Sequence, residues 1–372
     1  MRILAALAIS TASLSLAQYS GLSLPPSGNN QKASVTQYIG PVKVTIDYSS
    51  PKVGDRRGKI WGTLVPYGMR NLGFGTAKES PWRAGANENT VFTVSDAVRI
   101  QGKMLPAGSY GLHMIPQEKE DWTIIFSKNY TSWGSFFYDA KEDALRITAK
   151  PSKHEFRDYL TYEFTDRDQQ LAKAELQWED LSIGWTIEVP DPDSIYISKL
   201  SEELRSATGF SHQAFVNAAM YTVQANKHLD LGLEWADAAI SRPFIGVRDF
   251  QTLSTKSRVL MAMEKKDEAK VLLLEAVKHP AAGPMQIHQV GRQLQQSGFH
   301  KEALEVYEIN HSRNGDKWPV HVGLARGYMG VGESAKALDH AKKALEQAPD
   351  DVNKRNLSAM VQALTEGKKF NN

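Results

Sequence analysis

The chain has 372 residues, 41% of them hydrophobic and 23% charged, with a formal net charge of +2 at pH 7 and no cysteine. This composition excludes a disordered or collagen-like polymer and fits two or three globular domains. The balanced charge, without a basic stripe, argues against nucleic acid or anionic membrane as a partner. The lack of cysteine excludes disulfides, thiolate metal sites and a lipid-modified cysteine anchor.

Residues 1–17 read as an export signal peptide. Arg2 supplies the positive start, Ile3 to Leu16 an apolar stretch, and Ser15-Leu16-Ala17 the small residues of a cleavage site, so Gln18 is the expected first mature residue. The stretch is shorter than the ~20 residues of a spanning helix, and no later segment is apolar enough to span. The expected location is periplasmic or secreted. Residues 18–33, rich in Ser, Gly, Pro and Asn, read as a flexible leader.

Residues 34–190 have a period of two. In the first clear strand Val42, Val44, Ile46 and Tyr48 share one face. In the last, Leu181, Ile183, Trp185, Ile187 and Val189 do. The same alternation predicts strands at 90–95, 98–101, 109–115, 122–127, 144–149, 159–165 and 171–178, with turns at QGKMLPAG and TDRDQQ between them. Short strands with one polar face predict an antiparallel β-sandwich or barrel. Six of the eight tryptophans fall here, most of them expected in its core.

Pro190 and Pro192 end the last strand, and 191–198 reads as a linker. From 199 to 372 the period becomes 3.6. Ala269, Ala303 and Ala337 are 34 residues apart, as are Ala276, Asn310 and Ala344, and as are Gly298 and Gly332 at helix–helix turns. A looser copy lies at 231–240. This spacing resembles the tetratricopeptide repeat over about 205–350, although the early tryptophan of each unit is not systematic. Three clear units and a fourth, looser one are expected, with the segment from Asp351 as a cap helix. The resemblance implies an α-solenoid whose concave groove takes a protein or peptide partner. SRNGDKWP, 312–319, reads as an interhelical loop, with Trp318 either a groove contact or a packing residue.

The densest polar motif is PWRAGANENT, 81–90. Its order Trp-Arg-x-Gly-Ala-Asn-Glu-x-Thr resembles the bacterial family catalogued as domain of unknown function 2911. RGKIWGTLVPYG at 57–68, GKMLPAGSYGLHMIP at 102–116, WTIIFSKN at 122–129 and WGSFFYDAKEDALRI at 133–147 match in the same order. The resemblance covers about 36–190. It implies a secreted β-domain, sometimes followed by tetratricopeptide repeats, and names no reaction. NLGFGTAKES, 71–80, is an insertion relative to the family pattern and can alter the local pocket.

Two readings are open for Arg83 and Glu88. One makes Glu88 a general acid/base or ligand carboxylate beside an anion-clamping Arg83. The other makes them a structural ion pair, with Asn87 capping the turn. His113 shares a strand face with Ser109 and Gly111, which leaves space beside it for a pocket or a packed ring. Trp82, Trp133, Trp61 and Tyr110 are candidates for an aromatic platform or for core. Asp139, Glu142 and Asp143 lack the spacing of a calcium loop and read as a solvated turn. No HExxH, phosphate loop, dinucleotide fingerprint or GxSxG elbow occurs, so no cofactor and no metal are expected. The resulting expectation is an exported binding or scaffolding protein. Its repeats would hold a protein partner, and its β-domain a small ligand, glycan or peptide near Trp82, Arg83, Asn87, Glu88, Tyr110, His113 and Trp133. The alternatives are a cell-envelope hydrolase using Glu88 or His113, and a purely structural β-domain.

Overall fold

A computed structural model describes residues 30–368. The signal segment lies outside the described residues, as does the leader up to residue 29. The chain divides into two compact units, one ending at Pro190 and one beginning at Asp191.

The first unit is two antiparallel sheets. Its strands are β1 (Gln31–Ile39), β2 (Val42–Ser50), β3 (Thr90–Val94), β4 (Val98–Ile100), β5 (Lys103–Leu105), β6 (Gly108–Ile115), β7 (Trp122–Ser127), β8 (Asp143–Ala149), β9 (Ser152–Thr165) and β10 (Leu171–Glu188). One sheet runs β1-β2-β3-β6-β7-β8 and the other β5-β4-β10-β9. The rings of Phe92 and Phe126 on the first sheet meet Trp185 on the second, at centroid separations of 6.4 and 6.1 Å. The alternating apolar residues of both sheets therefore face a shared core, as in a sandwich.

Four strand assignments differ from the sequence expectation. β5, at Lys103–Leu105, lies inside QGKMLPAG, the stretch read as a turn; it is a three-residue strand with only Leu105 buried, too short to show an alternation. β1 starts at Gln31, inside the stretch read as leader; it is a polar edge strand with little to bury. β9 starts seven residues earlier than expected, because its first half is mostly exposed and carries no buried alternation. β10 is one strand of 18 residues where two were read. Register shifts flank Glu179, which is left-handed with φ 56°. The bulge changes the phase: Ala172, Ala174 and Leu176 are buried before it, and Ile183, Trp185 and Ile187 after it.

Among the described residues the second unit has ten α-helices: α1 (Pro192–Glu203), α2 (His212–Ala225), α3 (Leu229–Ser241), α4 (Phe250–Ala262), α5 (Lys266–Ala276), α6 (Pro284–Gln296), α7 (His300–Asn314), α8 (Trp318–Gly330), α9 (Ser334–Glu346) and α10 (Asp351–Thr365). Residues 192–198, read as linker, are the first turns of α1. Asp191 caps it by accepting from the Ser194 amide, and Pro192 suits a first turn that needs no amide hydrogen. Four hairpins follow: α2/α3, α4/α5, α6/α7 and α8/α9. Ala269, Ala303 and Ala337, on the second helix of the last three, are fully buried, so small side chains there let the helices approach. Gly232 takes that place in the first hairpin, where an added Cβ would meet the Thr222 hydroxyl at 2.0 Å. Leu357, Met360 and Leu364 of α10 cover Ala337, Ala341 and Ala344 and close the stack. α7 and α8 extend into the stretch read as a loop. Trp318 is a packing residue of that last cluster. No helix among the described residues is long and apolar enough to cross a membrane.

Candidate functional site

The corner 81–90 is held by its own backbone. Ala84 and Asn87 are both left-handed, with φ 49° and 56°, a costly conformation for residues with a Cβ. Neighbouring groups fix them in place. Trp82 exchanges two backbone hydrogen bonds of 2.8 Å with Met114 of β6, and the Ala86 amide donates to Ser49 O on β2 at 3.1 Å. The Thr90 and Tyr162 hydroxyls both donate to Ala84 O, at 3.0 and 2.8 Å. Gly85 lies so close to Thr90 that a Cβ there would sit 2.6 Å from its hydroxyl. Asn87 accepts from the Asn30 side chain at 3.1 Å.

The two reversals send Arg83 and Glu88 to different places. Arg83 donates to Asn87 O at 2.6 Å, and its guanidinium lies 5.1 Å from the Phe136 ring centre. Burial pushes its pKa below the usual arginine value. Gly134 makes room for it, since a Cβ there would come within 2.3 Å of the guanidinium carbon. His113, 2% exposed, shares a 3.0 Å hydrogen bond with Ser135 Oγ and meets the Tyr138 ring edge-on. Burial, and secondarily the Arg83 charge, push its pKa down to about 4, so it is neutral at pH 7. Glu88 instead pairs with Lys32 Nζ of β1 at 2.9 Å and accepts from Ser49 Oγ at 3.1 Å. Burial works against its carboxylate, but these partners outweigh it and hold the pKa below the usual glutamate value. Glu88 lines a surface depression with Lys32, Ser49 and Asp47. Arg83 and His113 are thus brought together, and Glu88 faces elsewhere. The expected Arg83–Glu88 pair is replaced by Lys32–Glu88.

The aromatic candidates separate in the same way. Tyr110 faces the core from the side of β6 opposite His113, and its hydroxyl donates to Pro106 O at 2.9 Å. Trp133 is 53% exposed and lines none of the cavities described here. Trp82 stacks on Trp178 at 6.1 Å and 15°, and Trp61 joins both edge-on at 5.7 Å. Asp139 caps a turn, and Asp143 accepts from Tyr138 and Arg146. Among the described residues no group of three His, Cys, Asp or Glu is placed to hold a metal ion.

Trp82 and Arg83 line a cleft of about 330 Å3 together with Arg56, Arg70, Ser80 and Trp178. The last four were not singled out in the sequence. Arg56 and Arg70 lie 27 and 13 residues before Arg83, in a stretch where the sequence predicts no strand or helix. The 71–80 insertion forms one wall. Arg70 and Ser80 close its base with paired backbone hydrogen bonds of 3.0 and 2.7 Å. Its Phe74 ring then packs edge-on against Phe136, at 5.4 Å.

In the helical unit a groove of about 510 Å3 is lined from α2, α4 and α6, the first helices of three successive hairpins. Asn217, Gln251, Arg258 and Gln286 supply its polar wall and Met220 an apolar one. Three histidines that look scattered in sequence also meet. His321 and His340 share a 3.0 Å Nδ1···Nδ1 hydrogen bond, and His311 pairs with Asp316 at 2.8 Å.

Residues 30–187 match the family described as Protein of unknown function (DUF2911). No curated protein matches the chain. Solved structures similar to it include tetratricopeptide (TPR) proteins. MamA from Desulfovibrio magneticus RS-1, residues 41 to the end, is 16% identical with a TM-score of 0.31, over 42% of this chain and 89% of its own. A thermophilic TPR protein of Thermus thermophilus is 17% identical with a TM-score of 0.33, over 46% and 91%. The C-terminal part of a TPR repeat-containing protein from Cytophaga hutchinsonii is 17% identical with a TM-score of 0.37, over 48% and 68%.

Proposed function

We propose that this chain, whose β-rich unit matches the DUF2911 family, is an exported binding scaffold. Its helical hairpins grip an extended stretch of a protein partner, and its β-rich unit holds a small ligand. The observation that carries this reading is the groove built from α2, α4 and α6. Asn217, Gln251, Arg258 and Gln286 are exposed along it. Amide side chains can donate to and accept from a peptide backbone, and a guanidinium takes a carboxylate. An extended peptide brings such unpaired backbone groups with it. Ser254, whose hydroxyl is buried without a partner, lines the same groove.

The test is selection from a displayed peptide library against the full mature chain, beside a Gln251→Ala/Arg258→Glu variant. Both positions are exposed, so the fold does not depend on them. Enriched peptides should bind the variant at least tenfold more weakly, the loss of roughly one charge-assisted hydrogen bond. Peptides that bind both alike would place the partner surface outside this groove. Export rests on the pattern of residues 1–17, and an exported chain starting at a residue other than Gln18 would contradict it.

The hydrolase alternative needs an acid/base in the Arg83–Glu88–His113 region. Glu88 and His113 do not converge there: one is ion-paired at the surface and the other is buried against Ser135. No observation favours that reading over the binding one.

A further inference from the structure

The cleft beside Trp82 has an unusual balance of donors and acceptors. Three arginines, Arg56, Arg70 and Arg83, line it, and no Asp or Glu does. Ser80 Oγ and Trp178 Nε1 are both buried without a hydrogen-bond partner, and both residues line the same cleft. Ser80 is 3% exposed and Trp178 1%. Buried polar atoms are nearly always paired, so two idle groups at one cavity point to something that pairs with them there. An indole N–H can only donate, a hydroxyl can donate, and each guanidinium only donates.

Arg83 and Arg56 are partly committed to backbone carbonyls. Arg83 donates to Asn87 O, and Arg56 to Val53 O and Lys52 O. Arg70 is exposed, and its backbone rather than its side chain closes the insertion loop. Its guanidinium is the charge with most freedom to turn onto a ligand. The floor is apolar and flat: Trp82 lies over Trp178 at an interplanar angle of 15°. Leu64, Pro66 and Leu72 add apolar wall. The volume sits at the small end of the roughly 300–1,000 Å3 typical of small-molecule sites.

We infer that this cleft binds a small organic anion, an acceptor-rich carboxylate or phosphate carried on a flat apolar body. The body stacks against Trp82, and the anionic head meets Arg70, with the Ser80 hydroxyl and the Trp178 N–H as further donors. This rests on the reading of the β-rich unit as a ligand-binding module, and it adds the charge and shape of the ligand. It also gives the 71–80 insertion a role, because the insertion supplies Leu72 and Ser80 and its base is paired with the Arg70 backbone.

The test is calorimetric titration of the full mature chain with three probes that share one flat body. These are 1-naphthaleneacetate, 1-naphthyl phosphate and the neutral 1-naphthaleneacetamide. At least one anion should bind ten times or more tightly than the amide, and the preference should shrink as salt is raised. Which anion wins separates a carboxylate from a phosphate ligand. Arg70→Gln should weaken the anions about tenfold and leave the amide unchanged, and Arg70→Glu should abolish anion binding. Both are exposed substitutions, and a thermal melt checks that folding is intact. If the amide binds as tightly as the anions, the anion inference falls while the ligand cleft stands. If none binds at millimolar concentration, the cleft reading falls with it.

Discussion

Ala84 contributes through its carbonyl rather than its side chain. It is fully buried, left-handed, and its oxygen accepts from both Thr90 and Tyr162. With two donors, that oxygen tolerates the loss of either one. Tyr162→Phe or Thr90→Val should each cost about 1 kcal/mol, the net value of one hydrogen bond. Together they leave a buried carbonyl with neither donor, which adds about 1–3 kcal/mol. Urea unfolding should therefore show the double variant losing more than the sum of the singles. Simple additivity would mean that the corner relaxes or admits water. At this scale the sequence was informative about residue types and silent about direction. Trp82 and Arg83 stood out as part of a polar motif, and both line the cleft. Glu88 stood out equally and faces another surface, because two positive-φ residues intervene that no pattern of Ala and Asn announces. Arg56 and Arg70 were invisible as site residues, since only the folded loop brings them to Arg83.

Period governs how legible each element was. The strands with one buried face were readable, as was the 34-residue helical repeat, because burial imposes the pattern directly. β1 and the first half of β9 bury little and leave no such trace. β10 misled because a bulge at Glu179 shifts its phase, so one strand looked like two. The repeat also marks a local strain. Gly298 and Gly332, in the turns of the last two hairpins, have φ 88° and 87°. The position 34 residues before Gly298 is Glu264, with φ 61°. A left-handed conformation costs an L-residue roughly 1–2 kcal/mol, and glycine loses some of that advantage through its freer unfolded chain. Glu264→Gly should thus stabilise the helical unit by about 0.5–1 kcal/mol. Chemical unfolding would show it as a raised midpoint with an unchanged slope. A lowered midpoint would mean that the Glu264 side chain contributes more than the strain removes.

For the molecule as a whole, acid stability follows from histidines placed in each unit. His113 in the β-rich unit and His288 in the helical unit are both pushed to about 4. Burial is the main cause in each, followed by Arg83 at His113 and by Arg326 and Arg292 at His288. In the unfolded chain both titrate near 6.5. Between those values the unfolded state binds protons that the folded state refuses, so stability rises with pH. Each contribution is complete above about pH 6.5 and drains away as pH falls through 4, to a total of about 3 kcal/mol per histidine. Burial also lowers His321 and His340, so the helical unit should be the more acid-sensitive of the two. Unfolding free energies measured at pH 7.5, 6 and 5 should fall progressively, before the carboxylates begin to titrate. His113→Phe should flatten that slope for the β-rich unit, and His288→Phe for the helical unit, by up to one proton each. Phe cannot take up a proton, and it keeps a ring in each buried site. Slopes unchanged in both variants would assign the acid sensitivity to other groups, and would leave the neutral imidazoles as packing residues only.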